Sequence, residues 1–458
     1  MRREDTNMTE KILELLKDRR FQELKHMLSE ANPVDLAEVL DSLDVTVTPI
    51  LFRLLPKDLA AETFVELDRD IKYEILQRLT DREIKSVIDE LFLDDTVDLI
   101  EEMPASVVKR LLSQSDSETR HYINEILKYP KDSAGSIMTI EYVYFRPSMT
   151  VEAAFDKIRK TAIDSETIYT CYVIDEKNTL IGFVSAKSLM LADKSDTIES
   201  IMERSVIYSH TTDDKEEVAL KLADYGFLAL PIVDKECRLV GIVTVDDAVD
   251  VLRDEASEDI AKMAATAPSD TPYLKMSVWQ IFRSRIPWLL ILMISATFTG
   301  LIINTFESRL NAISAVLFAC VPMLMDTGGN CGAQASVTVI RALSLGELYV
   351  KDILKVIFKE LRASILLGSA LAVACFAKLL LIDNLLFGFE GYTPLRCAVV
   401  SLALLCTVVI AKLIGCSLPI IAKKFGLDPA VVASPFITTI VDALSLILYC
   451  ALAISVLA

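Results

Sequence analysis

The sequence has few of the residues on which common metal and catalytic sites depend. Its only three histidines, His26, His121 and His210, lie far apart, and its nine cysteines show no CxxC spacing. A zinc site or His-based catalysis is therefore not expected. No set of nucleophile, base and oxyanion donors comes together along the chain, so an enzyme is the weakest of the functional classes considered.

A signal peptide is also not expected, because the start of the sequence, MRREDTNMTEKILELL, is too polar for one. We expect the N-terminus to stay in the cytoplasm. Charge is unevenly distributed: residues 1–278 hold 56 Asp and Glu against 34 Lys and Arg, whereas residues 279–458 hold 9 against 13. An acidic front half attracts cations and repels nucleic acid, so no nucleic-acid partner is expected. A solvated acidic surface is the alternative.

A 12-residue repeat runs from about residue 51 to 112. Each unit contains an apolar pair that is followed by a third apolar residue. The pairs are Leu51/Phe52, Ile75/Leu76, Val87/Ile88, Leu99/Ile100 and Leu111/Leu112. This spacing predicts short amphipathic helices that stack into a superhelix, because none buries its apolar face alone. A plain helical bundle is the alternative.

A second repeat of about 59 residues predicts two units of strand, turn, strand and helix. The segment from Tyr172 to Ser185 recurs from Pro231 to Thr244. Together the two copies resemble a CBS-domain pair. In that family a Thr and an Asp placed like Thr244 and Asp247 hold the ribose and phosphate of an adenine nucleotide, so ATP or another adenine nucleotide is a candidate ligand. A purely structural module is the alternative, since Ser188 replaces the acid in the first copy.

The pattern of residues 246–263 predicts one acidic helix. A break at 267–272 follows this helix, and five apolar stretches come after the break. Each stretch meets the ~20 residues that a spanning helix needs. The stretches are 287–306, 312–340, 363–387, 394–421 and 431–457. Basic residues lie mainly before span 1, after span 2 and before span 5, which predicts a cytoplasmic N-terminus and an external C-terminus.

Span 5 carries Asp442 about a dozen residues from its start. A charge at that depth costs at least ~2.5–3.5 kcal/mol, so the carboxylate should face a partner or a water-filled path. The basic residues of the spans, Lys378 and Lys412, lie near a span end or have stems that reach the interface, so neither is expected to be its buried partner. A cation in transit is the favoured partner, and hydrogen bonding to Thr438 or Thr439 is the alternative.

Span 2 is expected to be interrupted by Pro322 and by the polar, glycine-rich stretch after it, with close helix packing as the alternative. Its carbonyl and amide oxygens suit a hydrated cation, and Mg²⁺ is held by one or two carboxylates while it keeps most of its water. The candidate pore-lining residues in spans 2 and 5 are Asp326, Gly328, Gly329, Asn330, Gln334, Ser434 and Thr438. A two-fold dimer would bring two copies of Asp442 together.

Three segments carry a resemblance to the MgtE family of magnesium channels or transporters: YPKDSAGSIMT at 129–139, PMLMDTGGNCGAQ in span 2 and LDPAVVASPFITTIVDALSL in span 5. The resemblance covers nearly the full chain. It implies a multidomain homodimer in a bacterial-type inner membrane, with an α-helical superhelical N-domain (1–130), an α/β CBS pair (131–252), a plug helix (253–278) and an all-α five-helix transmembrane domain (279–458).

The resemblance also implies a role for each acidic cluster. Asp442 matches the pore aspartate that holds hydrated Mg²⁺ on the dimer axis. The implied regulatory ligands of Mg²⁺ are Asp94, Asp98, Asp214, Glu216, Asp247, Glu255, Glu258, Asp259 and Asp428. Mg²⁺ bridging these carboxylates would hold a closed state, and its loss would open the pore. The chain departs from residues frequent in the family at Gly226, Ser434 and Ser445.

Two other functions compete with a magnesium channel. One is a CBS-regulated transporter of another divalent cation, such as cobalt, nickel or calcium. The other is a membrane-anchored magnesium sensor that does not transport ions. A sensor alone would not explain why Asp442 lies within the bilayer.

Overall fold

The computed structural model describes residues 3–44, 46–161, 165–269, 271–431 and 434–457, leaving the side chains of 3–7 and 434 aside. Two compact units make up the chain, Met1–Leu252 and Arg253–Ala458.

The first unit begins with short helices. They are α1 (Arg3–Lys17), α2 (Phe21–Ser29), α3 (Pro33–Ser42), α4 (Thr48–Phe52), α5 (Lys57–Glu66), α6 (Arg69–Arg78), α7 (Asp81–Ile88), α8 (Leu93–Glu102), α9 (Ala105–Gln114) and α10 (Ser117–Ile126).

The starts of helices α5 to α10 are spaced 12 residues apart, as the apolar repeat predicts. Capping residues set these starts: the Thr80 side chain accepts from the Glu83 amide, and Asp116 accepts from the first amides of α10. Alternate helices pack together, α3 on α5, α5 on α7 and α7 on α9 along one side, α4 on α6 and α8 on α10 along the other. This alternation distinguishes a superhelix from a plain bundle, so the prediction is confirmed.

The rest of the first unit forms two small sheets with helices, and its last helix continues past Leu252 into the second unit. The elements are β1 (Tyr142–Phe145), α11 (Val151–Thr161), β2 (Thr167–Ile174), β3 (Leu180–Ser185), α12 (Ala186–Leu191), α13 (Ile198–Ile201), β4 (Ser209–His210), α14 (Lys215–Tyr225), β5 (Ala229–Val233), β6 (Leu239–Thr244) and α15 (Val245–Met263).

Both sheets have the same topology, which confirms the predicted repeat. The orders are β1-β2-β3 and β4-β5-β6, and in each the first pair of strands is parallel and the second antiparallel. The copies are joined through the buried Tyr172, whose hydroxyl donates to the Ala229 carbonyl over 3.2 Å. Their hairpin turns also exchange backbone hydrogen bonds, Leu180 with Cys237 and Leu239 with Asn178. Helix α15 is continuous, as predicted.

The second unit contains α16 (Val278–Ile313), α17 (Ala315–Ala319), α18 (Val321–Ser344), α19 (Ile353–Lys378), α20 (Pro394–Lys424) and α21 (Ser434–Leu457). A 3₁₀ turn at Val350–Asp352 precedes α19, and a π-helical segment, Leu379–Leu386, follows it. Four segments of the described chain are long and apolar enough to cross a membrane: Val278–Ile313, Val350–Leu386, Pro394–Lys424 and Pro435–Leu457. The polar helix α18 is not among them, so a fifth span stays a prediction.

The expected interruption of span 2 is confirmed next to Pro322 and is wrong for the glycine-rich stretch. The glycine-rich stretch lies inside the continuous helix α18, and Pro322 occupies its first turn, where the missing amide costs no hydrogen bond. The helix is broken at Ser314, between α16 and α17, and again at Cys320, between α17 and α18. Close packing keeps the glycines helical: a Cβ on Gly415 of α20 would lie 2.2 Å from the Gly332 carbonyl oxygen, so the two backbones touch.

Candidate metal sites

The face that α18 and α21 share brings the predicted pore residues together. Asp326, Asn330 and Gln334 repeat every four residues along α18 and are exposed on the single chain. A Cβ on Gly329 would lie 3.2 Å from Thr438 and 3.7 Å from Asp442 Oδ1, so this glycine lets α18 approach α21 where the aspartate lies. We call Asp326, Asn330, Gln334, Thr438 and Asp442 the polar face.

Asp442 is half-buried on this face and has no hydrogen bond or ion pair among the described residues. The alternative of a structural carboxylate held by hydroxyls is wrong, because Thr438 and Thr439 both donate to the Pro435 carbonyl, over 2.9 and 3.0 Å. Asp326 is near enough for its charge to act on that of Asp442. Two carboxylates without a cation between them repel each other, so this face favours a positive ion.

Two other candidates from span 2 and span 5 are placed differently. A Cβ on Gly328 would lie 2.7 Å from Thr407 and 3.1 Å from the Ser445 hydroxyl, so Gly328 is a packing residue inside the helix bundle and not part of the polar face. The side chain of Ser434 lies outside the described residues.

The lysines of the spans do not pair with Asp442. Lys378 Nζ lies 2.6 Å from Asp383, and Lys412 Nζ lies 3.6 Å from Glu360. The side chain of Lys412 is only 9% exposed, which corrects the expectation that its stem reaches the interface.

The end of α15 forms a second cluster, which we call the plug cluster, with the residues that precede α21. Lys262 Nζ lies 2.5 Å from Glu258 and 2.6 Å from Asp428, and Asp259 accepts a 2.8 Å hydrogen bond from the Ser344 hydroxyl. Burial, and to a lesser degree the nearby charge of Asp428, raise the pKa of Asp259 above its ordinary value. Glu255 lies one turn earlier on the same helix.

The resemblance implied Glu258, Asp259 and Asp428 as regulatory ligands, but sequence reasoning missed Lys262, which lies between Glu258 and Asp428. Burial lowers the pKa of Lys262, but its hydrogen bonds to Asp428 and Glu258 outweigh burial and raise it. The four-residue spacing from Glu258 is typical of a helical ion pair and could have indicated that contact. The approach of Asp428 depends on the tertiary structure.

A third cluster, the sensor cluster, lies within the first unit between α8 and the strands. Asp94, Glu141 and Glu166 can each place a carboxylate oxygen within 4.8 Å of the others. Two hydrogen bonds build the site: the Leu93 amide donates to Glu141 Oε2 over 3.0 Å, and the Glu166 amide donates to the Glu141 carbonyl over 2.8 Å. Asp94 is 8% exposed.

The sensor cluster fits a divalent cation. Glu166 Oε2 is closed off from solvent and has no hydrogen-bond partner among the described residues, a state that is costly for a carboxylate. Burial and the neighbouring carboxylates raise the pKa of Glu166 to about 8 and that of Asp95 to about 7, and burial, with the charge of Asp247 next, raises that of Asp94. Carboxylate oxygens are the ligands that Mg²⁺ prefers.

The predicted Asp98 and Asp247 belong to the surroundings of this cluster. Asp98 reaches solvent, yet desolvation by the surrounding protein and the charge of Asp247 raise its pKa to about 7. Burial raises the pKa of Asp247 to about 6, although a hydrogen bond from the Thr244 hydroxyl opposes the rise. Sequence reasoning missed Glu141 and Glu166. They stand beside the starts of β1 and β2, which pair in parallel, and that pairing brings them together.

Asp214 and Glu216 lie elsewhere, at the start of α14. Asp214 is the N-cap of this helix and accepts a 2.8 Å hydrogen bond from the Glu216 amide. Their role as metal ligands stays a prediction.

Three family models match the chain. A divalent cation transporter model, MgtE, matches residues 321–452, the MgtE intracellular N domain matches 31–132, and the CBS domain matches 134–195 and 198–254. The magnesium transporter MgtE of Thermus thermophilus is 37% identical over 444 residues, 96% of each chain. That of Bacillus subtilis is 33% identical over 440 residues, 96% of this chain and 95% of the relative.

Two solved structures are similar to the cytosolic part of the chain. The cytosolic domain of the Mg²⁺ channel MgtE in complex with ATP is 39% identical, with a TM-score of 0.51 over 53% of this chain and 99% of its own. The soluble part of a magnesium transporter is 32% identical, with a TM-score of 0.52 over 55% of this chain and 99% of its own.

Proposed function

Because this chain belongs to the MgtE family of divalent cation transporters, we propose that it conducts magnesium across the membrane and that cytoplasmic Mg²⁺ closes its path. The polar face carries this proposal: its half-buried Asp442 has no hydrogen bond or ion pair among the described residues and lies beside further oxygen ligands. An intramembrane carboxylate is costly unless a partner compensates it, and a cation in transit is such a partner.

A two-fold homodimer would complete the path. Asp326, Asn330 and Gln334 are exposed on the single chain although they lie on a helix that packs against α20 and α21. A second copy would cover these polar residues and bring two Asp442 carboxylates to one axis. A pair of carboxylates suits hydrated Mg²⁺, which keeps most of its water.

Regulation would depend on the sensor cluster and the plug cluster. Carboxylates that are crowded together repel one another, and a bridging Mg²⁺ removes the repulsion. Mg²⁺ would therefore favour the state in which Asp94, Glu141 and Glu166 lie close, and its loss would favour their separation. This is a shift of population by differential binding.

We further propose that the protein resides in the bacterial inner membrane and crosses it with five helices. Its N-terminus would lie in the cytoplasm and its C-terminus outside. An adenine nucleotide would bind the CBS pair at Thr244 and Asp247. Support for the nucleotide comes from the related cytosolic domain described in complex with ATP and from the hydroxyl and carboxylate that already face each other.

Flux measurements on the full chain in liposomes test the proposal. With low internal Mg²⁺, wild type should take up Mg²⁺, and Asp442→Ala should reduce uptake to that of empty liposomes. Glu390→Gln, a change of one exposed carboxylate outside the predicted spans, is the matched control and should leave uptake unchanged.

The same assay tests regulation. Neutralising Glu255, Glu258 and Asp259 together should raise uptake about fivefold or more at millimolar internal Mg²⁺, because the closing ion loses its ligands. Uptake of calcium, cobalt or nickel in preference to magnesium would support another divalent cation. No uptake of any of them, with Mg²⁺ still bound, would support a sensor and contradict transport.

A further inference from the structure

Glu360 of α19 and Lys412 of α20 form a buried ion pair outside the sites described above. Lys412 Nζ lies 3.6 Å from Glu360 Oε2, and the two side chains are 9% and 20% exposed. Glu360 Oε2 is closed off from solvent and has no hydrogen-bond partner in the described part of the chain. Each charge is thus compensated mainly by the other, at a distance too long for a hydrogen bond.

Lys412 lies on α20, which packs against the helix that carries the polar face. A Cβ on Gly332 of α18 would lie 3.3 Å from the carbonyl oxygen of Ala411, the residue before Lys412. Gly415, also on α20, contacts the carbonyl of Gly332. Since α18 lies between this contact with α20 and the polar face, the two are separated by on the order of 10 Å, the diameter of one helix. A charge at this distance through protein acts on a divalent ion twice as strongly as on a monovalent one.

We propose that Glu360 is a positioning residue for cation passage, which cancels the field of Lys412 at the polar face and so sets the affinity of the path for Mg²⁺. This inference rests on the proposed function. An isolated Lys412 charge would repel Mg²⁺ from the polar face, and an isolated Glu360 charge would attract it. The intact pair acts as a dipole, whose field falls off faster than that of either charge.

The proposal predicts opposite effects from two single substitutions. Glu360→Gln leaves the lysine unpaired and should raise the KM for Mg²⁺ uptake at least about fivefold. Lys412→Gln leaves the carboxylate unpaired and should lower the KM by a similar factor. The double variant Glu360→Gln/Lys412→Gln removes both fields, and its KM should return to within about twofold of wild type.

Lys355→Gln is the matched control. It makes the same chemical change as Lys412→Gln, in the helix that carries Glu360, but Lys355 is 84% exposed and pairs with Asp352, so water and salt screen its charge. Its KM should stay within about twofold of wild type. If Glu360→Gln fails to fold, Glu360→Asp, which keeps the charge and withdraws it by one methylene, should shift the KM in the same direction by a smaller factor.

The outcomes separate this inference from the proposed function. A wild-type chain that passes no Mg²⁺ contradicts the proposed function and the inference with it. An active wild type in which both single variants shift the KM in the same direction, or only lower the maximal uptake, overturns the inference alone, because a merely structural ion pair would act in that way.

Discussion

The sensor cluster should release protons when it binds Mg²⁺. Burial and neighbouring carboxylates raise the pKa of Asp95 to about 7 and that of Glu166 to about 8. At pH 7 Asp95 is therefore roughly half protonated and Glu166 roughly nine-tenths protonated. Mg²⁺ binds the ionised form of Glu166, and its charge also favours the ionised form of the adjacent Asp95. We therefore expect the full chain to release about one to two protons for each ion bound at this cluster.

The sign of the pH dependence follows from the direction of these shifts. The folded pKa values lie above those of an unfolded chain, so the folded state binds more protons. Without Mg²⁺, this contribution to stability is complete below about pH 4 and is lost as the pH rises through about 7 to 8. The affinity for Mg²⁺ changes in the opposite direction and should increase roughly tenfold per pH unit for each proton released.

Glu166→Gln is the decisive perturbation, because glutamine has no carboxyl proton to release. Isothermal titration of the full chain with Mg²⁺ at pH 7, in two buffers of different ionisation heat, gives the number of protons released. We expect the substitution to lower that number by about one. Glu152→Gln, an exposed carboxylate paired with Lys194, is the control and should change nothing. A wild-type heat that is independent of buffer, or a Glu166→Gln value equal to wild type, would refute the reasoning.

Two further predictions concern helix packing and the nucleotide. Gly415→Ala places a Cβ 2.2 Å from the Gly332 carbonyl oxygen and should lower the free energy of unfolding by about 1–3 kcal/mol in detergent, whereas Gly300→Ala, with no neighbour within 4 Å, should not lower it. Equal losses in thermal unfolding would contradict the packing argument. Thr244→Val should weaken ATP binding about tenfold in an equilibrium titration, and Ser185→Ala in the first CBS copy should not. Unchanged ATP binding in Thr244→Val would place any nucleotide elsewhere.

Local patterns were sufficient for the elements of the first unit. The 12-residue phase of apolar pairs predicted the superhelix because a short helix buries its apolar face at the same positions in every repeat. The doubled strand-turn-strand segment predicted both CBS copies for a similar reason. These features depend on residues close in sequence, which a single chain displays directly.

The polar face was predicted in composition but not in conformation. Polar residues and glycines in span 2 favoured an interrupted helix, and α18 is continuous because Gly332 and Gly415 allow its backbone to contact α20. Whether a glycine breaks a helix or packs it depends on the neighbour that fills the space. That neighbour is more than 80 residues away in the sequence.

By itself, the sequence determined the acidic front half, the repeats, the apolar helices and the presence of Asp442 within one of them, since all of these are properties of composition and short-range spacing. Only the tertiary structure decided which charges meet. It brought Asp428 to Lys262, joined Glu141 and Glu166 to Asp94, paired Lys412 with Glu360 and left Asp442 without a hydrogen-bonding or ion-pairing partner among the described residues. The physical reason is that the energy of a charge depends on its distance to other charges and on its burial, and chain packing fixes both.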